Sequence, residues 1–427
     1  MNYEETVKYI YGRMPLFQMV GTAGYKEGLD GMVALDKCLD FPHRSFKTIH
    51  VAGTNGKGSV SHTLASVLQS AGYKVGLFTS PHLRDFRERV RVNGEMMSKE
   101  YVVDFVEKYG KLFDVIYPSF FEVTVAMAFD YFRLQKVDVA VVEVGLGGRL
   151  DSTNIITPCL SVITNISFDH TNLLGDTLEK IAAEKAGVIK SGVPVVIGEA
   201  EDEGVRATFL SKAESVSAPI HFVDKEISRV EVTGENSTDC PLQNFVVDGF
   251  AFSTPLLGVY QQKNMPTALL AVRYLRKAGF NLSDDAVRSG FRNVVSQTHL
   301  MGRWQKIGEN PLTLCDTGHN VAGITMVVNQ LAKTERNHLR FVFGVMKDKD
   351  VSHILPLLPK DAVYYFTQAS TPRAMPVALL QEKASEFGLK GKCCGSVVAA
   401  LELARNESEE GDLVFVGGSS YVVAEVV

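Results

Sequence analysis

The clearest chemistry in the chain lies in Gly53-Thr54-Asn55-Gly56-Lys57-Gly58-Ser59. Its three glycines let backbone approach a ligand closely, and the Lys57 ammonium can sit between phosphate oxygens. The Ser59 hydroxyl, two residues after the lysine, can bond a phosphate or reach Mg²⁺. The usual phosphate loop has four residues between its glycines and a hydroxyl directly after lysine. Here two residues separate Gly53 from Gly56 and a glycine follows Lys57, so the loop is a variant. Apolar Ile49 and Val51 ahead of it predict a short buried strand. Val60, Leu64, Val67 and Leu68 behind it fall at helical spacing. A strand turning through glycines into a helix start offers unpaired N–H groups and a positive dipole end to an anion, so a nucleotide triphosphate is the expected ligand.

Other polar residues fall where buried strands end. Val139-Ala-Val-Val-Glu-Val-Gly145 is apolar except for Glu143, and a carboxylate there lies at the edge where parallel sheets bind ligands. Beside a phosphate loop it is the natural acid to hold Mg²⁺ or orient water. The loop Gly145-Leu-Gly-Gly-Arg-Leu-Asp-Ser-Thr-Asn154 reads as flexible and polar. Leu160-Ser-Val-Ile-Thr-Asn-Ile166 runs into Asp169 and His170. Taken alone, His170 reads as a structural hydrogen-bonder and Lys185 as part of a solvated helix face. Later in the chain, Asp316 and His319 follow another strand and could position an ammonium or phosphate. Arg303 and Arg373 are candidate anion clamps. Val414-Phe-Val-Gly-Gly-Ser-Ser-Tyr421 ends a strand in small polar residues, a further ligand edge.

These residues need a large α/β scaffold. A chain of 427 residues exceeds one ordinary core, so two domains are expected. Net charge −5 gives no electrostatic case for nucleic acid or an anionic membrane. No apolar run reaches the roughly 20 residues of a membrane span, and the acidic start Met1-Asn-Tyr-Glu-Glu is unlike a signal peptide. Six cysteines form no CxxC pair and read mostly as small buried hydrophobes, which fits a cytoplasmic protein.

Residues 1–47 read as partly helical with an irregular stretch at 21–28. Strands are then expected at 48–52, 75–79, 138–144, 160–165 and 194–197, with helices near 59–71, 99–113, 120–135 and 177–189. That alternation predicts a mostly parallel sheet covered by helices. Residues 205–256 read as short strands and turns, followed by helices at 262–278 and 283–294. A second series has strands at 312–315, 340–345, 363–367 and 412–416 and helices near 321–333, 350–357, 376–387 and 396–406. The expected division is 1–297 and 298–427.

In this order, His50-Val-Ala-Gly-Thr-Asn-Gly-Lys-Gly-Ser59, Phe78-Thr-Ser-Pro-His82, Glu143-Val-Gly-Leu-Gly-Gly-Arg-Leu-Asp-Ser-Thr-Asn154, Asp169-His170, Glu184-Lys-Ala-Gly-Val-Ile-Lys190, Tyr260-Gln-Gln-Lys-Asn264 and Asp316-Thr-Gly-His-Asn320 resemble the folylpolyglutamate synthase and dihydrofolate synthase family of the Mur-type amino-acid ligases. The resemblance covers nearly the whole chain. It implies a phosphate-loop ATP-binding domain followed by a smaller Rossmann-like glutamate-ligase domain. Gly53 to Ser59 would hold ATP, with Asn264 near adenine and Arg303 at the phosphates. Ser80, Glu143 and His170 match the family's Mg²⁺ ligands, and Lys185 matches a lysine that can carry a carbamate and help place a second Mg²⁺. Asp316, His319, Ser419 and Tyr421 match positions linked to glutamate or nucleotide, and Asp151 and Arg373 are assigned to folate or glutamate. Two segments depart from the family pattern: Asp316-Thr-Gly-His-Asn320 replaces the usual Asp-Gly-Ala-His-Asn, and Gly418-Ser-Ser-Tyr421 the usual Gly-Ser-Leu-Tyr. Both keep their functional side chains.

The implied reaction joins a carboxylate to an amine through an acyl phosphate, with the substrates reduced folate, L-glutamate and ATP. It needs positioning and charge stabilisation rather than an enzyme nucleophile. Domain closure around ATP is the expected gate. Gly147-Gly-Arg-Leu-Asp151 and Gly24-Tyr-Lys-Glu-Gly-Leu29 are closer to bifunctional members, which also join dihydropteroate to glutamate. A peptidoglycan-type ligase would be expected to carry a further N-terminal domain, and a regulator without catalysis would not need Lys57, Glu143, His170 and Asp316 together. A monomer is expected.

Overall fold

The computed structural model describes residues 1–14, 28–235 and 241–427. Most of the irregular stretch expected at 21–28 lies outside them, as does Cys240. The described chain forms two compact units: Met1–Pro255 with Gln261–Leu300, and Leu256–Tyr260 with Met301–Val427.

The first unit is built on an eight-stranded sheet. In chain order its strands are β1 Lys47–Ala52, β2 Val75–Phe78, β3 Val90–Val92, β4 Glu95–Met96, β5 Val139–Glu143, β6 Leu160–Ile163, β7 Val195–Ile197 and β8 Ile220–Phe222. They lie side by side as β4-β3-β2-β5-β1-β6-β7-β8. All neighbours from β2 to β8 are parallel, and β3 and β4 extend the edge antiparallel. Helices cover both faces, so β5 is buried along its whole length and reads as an unbroken apolar run. The helix Phe120–Leu134 starts at a reciprocal cap between Ser119 and Glu122, and Ser98 caps Lys99–Ile116. A separate antiparallel sheet joins β9 Val230–Glu235, β10 Leu242–Val247 and β11 Phe250–Thr254.

The second unit carries β12 Gln305–Gly308, β13 Leu312–Cys315, β14 Leu339–Phe343, β15 Val363–Phe366, β16 Lys390–Cys393 and β17 Leu413–Gly417. Their spatial order is β12-β13-β17-β14-β15-β16, parallel except for the β12 edge. Phe341, Tyr364, Phe366 and Phe415 fill its core. The segment Leu256–Tyr260 packs here: Leu257 lies against that core, and the Val259 N–H donates to Gln330 Oε1 at 2.7 Å.

The structure departs from the sequence expectations in several places. Within 205–256, a helix spans Glu203–Ser215. Only Val205, Phe209 and Ala213 are buried on it, a narrow stripe among polar residues, which is why its period was hard to read. The helix expected at 350–357 is two short 3₁₀ turns, Val351–His353 and Leu355–Leu357. Pro356 has no N–H for an α-helical ladder. The short edge strands β12 and β16 were not anticipated. The 145–154 loop is not flexible: it packs down through a 3₁₀ turn, with Asp151, Ser152, Thr153 and Asn154 all buried. Among the described cysteines, Cys315 and Cys394 are buried, Cys159 is half-buried, and Cys38 and Cys393 are exposed, so the expectation of mostly buried thiols fails. No helix among the described residues is long and apolar enough to cross a membrane.

Candidate active site

The carboxyl edge of the first sheet gathers the polar residues. The loop after β1 turns at Gly53 (φ +140°) and Gly56 (φ +84°), where a β-carbon would lie 1.9 Å from Thr164 Oγ1 and 2.2 Å from Asn264 Oδ1. Both positions therefore require glycine, for conformation and for space. The loop is bolted to the continuation of β6. Thr54 N donates to Asn165 O (2.9 Å), Asn55 N to Asn165 Oδ1 (2.8 Å), and Thr164 Oγ1 to Asn55 O (2.5 Å). Thr54 and Asn55 thus use their own N–H groups to hold the loop. The N–H groups at the start of helix Lys57–Ser70 have no partner one turn back, and no side chain among the described residues caps that helix. They form the anion-facing end, together with Gly58 and the buried Ser59.

Two lysines converge on one backbone oxygen. Lys57 Nζ donates to Gly53 O (3.0 Å) and Thr54 O (3.1 Å), and Lys185 Nζ donates to Gly53 O (3.0 Å). Lys185 is buried at the end of helix Leu178–Lys185, not on a solvated face. Burial first, and then the Lys57 charge, push its ammonium down to about 7, against the opposing pull of Asp169 and Asp151.

Glu143 ends β5 and is buried; its register partner on β1 is Val51, two residues before Gly53. Half-buried Ser80 follows β2, the other neighbour of β5. Asp169 and His170 lie beyond β6. The His170 N–H donates to Asp169 Oδ1 (2.9 Å), and its ring Nε2 stands 3.8 Å from the same oxygen. The strand order therefore brings all three proposed Mg²⁺ ligands to the edge that carries the glycine loop. Carboxylate and hydroxyl oxygens suit Mg²⁺. No group of three or more His, Cys, Asp or Glu side chains among the described residues could hold a metal.

Gln261, quoted above within Tyr260-Gln-Gln-Lys-Asn264 but given no role there, belongs to this site. Its Nε2 donates to Ser59 Oγ (3.1 Å), and its Oε1 accepts from Asn264 Nδ2 (2.9 Å). Asn264 and Gln261 thus form a buried pair behind the glycine loop, and only the proximity of Gln261 to Asn264 in sequence hinted at it. Asp151 is buried too, with Oδ2 accepting from Leu146 N (2.8 Å) and Oδ1 from Thr153 N (3.0 Å).

In the second unit, Asp316 and Ser419 follow the neighbouring parallel strands β13 and β17. Asp316 is buried. Its Oδ2 accepts from Tyr260 OH (2.5 Å) and Trp304 N (2.8 Å), and its Oδ1 from Gly318 N (2.8 Å). Burial raises its carboxyl above the usual range, while Tyr260 and Arg303 oppose the shift. Arg303 donates to Thr317 Oγ1 and to Gly302 O, and His319 Nδ1 lies 3.0 Å from Thr317 O. Ser419 caps the last helix through Tyr421 N (3.1 Å). Arg373 pairs with Asp348 (2.6 Å) and approaches Tyr421 OH (3.4 Å). Burial pushes the Asp348 carboxyl up, but Arg373 outweighs it and holds that group low. Asp348 carried no signal in the sequence.

A glycine-loop α/β unit followed by a second parallel-sheet unit is the architecture of the Mur-type ligases. Residues 51–272 match the Mur ligase middle domain, and residues 302–420 match the Mur ligase glutamate ligase domain. The chain is 32% identical over 440 aligned positions to the dihydrofolate synthase/folylpolyglutamate synthase of Bacillus subtilis, covering 99% of this chain and 98% of that one. FolC of Escherichia coli, solved in complex with DHPP and ADP, superposes with a TM-score of 0.86 at 30% identity, covering 100% of this chain and 97% of that one. A bifunctional folylpolyglutamate synthase/dihydrofolate synthase with Mn, AMPPNP and L-glutamate bound gives a TM-score of 0.83 at 30% identity, over 100% and 97%. The chain belongs to the folylpolyglutamate synthase/dihydrofolate synthase family.

The position of Lys185 has a measurable consequence. Its folded-state pKa, about 7, lies below the usual 10.5, so between those values the unfolded chain binds more protons. Stability relative to a Lys185→Met variant should therefore rise with pH above 7, by about 1.4 kcal/mol per unit at the steepest. Denaturant unfolding of both proteins in CO₂-free buffer from pH 6 to 9 checks this. A flat or falling difference would mean that Lys185 stays charged.

Proposed function

We propose that the chain is a folylpolyglutamate synthase that uses ATP to join L-glutamate to the γ-carboxylate of a reduced folyl-glutamate. The observation carrying this reading is the convergence of Lys57 and buried Lys185 on the Gly53 carbonyl of the glycine loop, with Glu143 ending the adjacent strand, in a chain similar along its whole length to ligases of this family.

The difficulty is that a carboxylate is inert to an amine in water. A γ-carboxylate oxygen attacks the γ-phosphorus of ATP, ADP leaves, and an acyl phosphate forms. The glutamate α-amine then attacks the acyl carbon, and phosphate departs from the tetrahedral intermediate. The enzyme's part is positioning and charge. Gly53 to Ser59 cradle the phosphates, with Lys57 turning from the loop carbonyls onto their oxygens. Gln261 fixes the Ser59 hydroxyl. Asn264 lies near the adenine and Arg303 near the phosphates. Ser80, Glu143 and His170 would hold Mg²⁺, which when bound neutralises phosphate charge and so lowers repulsion with the attacking carboxylate. Asp316 and His319 orient nucleotide or amine, Ser419 and Tyr421 receive glutamate, and Asp151 recognises folate. Arg373 is committed to Asp348, so a substrate carboxylate shares or displaces that partner. On this reading the enzyme works in the cytoplasm as a monomer on small molecules.

Lys185 takes the further role of a carbamate. An amine near neutral pKa keeps a lone pair free to attack CO₂, and the product is an anion able to help place a second Mg²⁺. Protein equilibrated with ¹³C-bicarbonate should show one carbamate carbon resonance that is missing from Lys185→Met. Identical spectra would exclude the carbamate.

The full-length bifunctional relative in Bacillus subtilis supports a second reading, in which dihydropteroate is also an acceptor. Incorporation of labelled glutamate into tetrahydrofolate and into dihydropteroate tests both. ATP-dependent product is expected with tetrahydrofolate, and Lys57→Ala should lower kcat/KM by roughly 10²–10³-fold. Unchanged turnover in Lys57→Ala overturns the ATP role, and no product from dihydropteroate removes the second activity.

A further inference from the structure

His50 lies in the centre of β1 between Ile49 and Val51, fully buried in an otherwise apolar stretch. Its Nε2 is 2.8 Å from Thr153 Oγ1, and Thr153 Oγ1 is 2.5 Å from Asp151 Oδ1. His50 Nδ1 is buried with no hydrogen-bond partner among the described residues. A ring with one orphaned nitrogen in a strand core is a cost, since an apolar side chain would fill the same space without it. Any gain that offsets this cost lies on the side where the ring is bonded.

The bonding pattern settles which atom donates. The Thr153 hydroxyl has one proton and two lone pairs. Burial pushes the Asp151 carboxyl up, while hydrogen bonds from the Thr153 hydroxyl and the backbone N–H groups of Leu146 and Thr153 pull it back; with both of its oxygens accepting, the hydroxyl proton points to Oδ1. Thr153 Oγ1 is then an acceptor toward His50, whose proton must sit on Nε2. Burial, and then the charge of Lys190, push the imidazolium down to about 3, so the ring is neutral and keeps that single tautomer. The bare lone pair on Nδ1 follows from the same assignment.

We infer that His50 and Thr153 are positioning residues that fix the rotamer and charge of the Asp151 carboxylate, and through it the recognition of the folate. This rests on the reading of Asp151 as a folate residue. Capping the 3₁₀ turn at Ser152–Ile155 would by itself need only one oxygen of Asp151 and no histidine. The relay instead runs from the strand that feeds the glycine loop to the loop after β5, so both ends of the site share one rigid support.

Steady-state kinetics of Asp151→Ala, Thr153→Val, Thr153→Ser, His50→Leu and His50→Gln test the relay. Loss of the hydroxyl bond to the carboxylate predicts that Thr153→Val raises KM for the folate by about 10-fold or more, and His50→Leu, which removes the donor that orients that hydroxyl, raises it several-fold, with KM for ATP within about twofold in both. Thr153→Ser keeps the hydroxyl, and His50→Gln keeps an N–H donor near the Nε2 position. Both should recover most of the loss, although leucine fills the apolar site better than glutamine. If Asp151→Ala raises the folate KM while Thr153→Val and His50→Leu leave it unchanged, the relay is overturned and the Asp151 reading stands. If Asp151→Ala also leaves it unchanged, both fall. Equal rises in the KM for ATP and folate, or no recovery with Thr153→Ser and His50→Gln, would mark the two residues as structural only.

Discussion

The carbonyl of Gly53 organises the first unit. It accepts from Lys57 and from Lys185 at once, in a loop whose backbone only glycine can follow. Two ammonium groups sharing one acceptor oxygen repel each other. Burial and that repulsion together push the Lys185 ammonium down to about 7, so it gives up its proton far more readily than an ordinary lysine. One geometric fact thus sets the Lys185 amine apart from an ordinary lysine. The sheet makes this possible: β1 lies between β5 and β6, so the acid ending β5 and the residues beyond β6 reach the same edge.

The second unit solves a different problem with the same architecture. Asp316 is withdrawn from water, yet both oxygens are occupied by donors from Tyr260, from Trp304 and from Gly318. A carboxylate so held cannot swing, which suits a group that orients rather than shuttles. Arg373, Asp348 and Tyr421 form a separate cluster, in which a carboxylate holds the guanidinium in place.

Much of this was legible in the sequence because strand ends and glycines have strong local signatures. Glu143 stood out as the one polar residue in an apolar run, and the glycine loop announced its own strand and helix. Lys185 was misread from its residues alone, since a lysine among Glu179, Lys180 and Glu184 looks like a solvated face; its burial depends on close backbone approach at Gly148, which no local pattern encodes. Gln261, Tyr260 and Asp348 escaped for a related reason: their partners lie 202, 56 and 25 residues away. The helix Glu203–Ser215 was missed because three buried residues were enough to anchor it. The site's ligand edge was local in the sequence, and the groups that hold it in place were not.

The most direct test is a crystal structure with a non-hydrolysable ATP analogue and Mg²⁺. The account predicts phosphate oxygens against the first N–H groups of helix Lys57–Ser70, with Lys57 Nζ moved from the Gly53 carbonyl onto phosphate and Lys185 still bonded to it. Phosphates bound elsewhere, with the glycine loop empty, would contradict it.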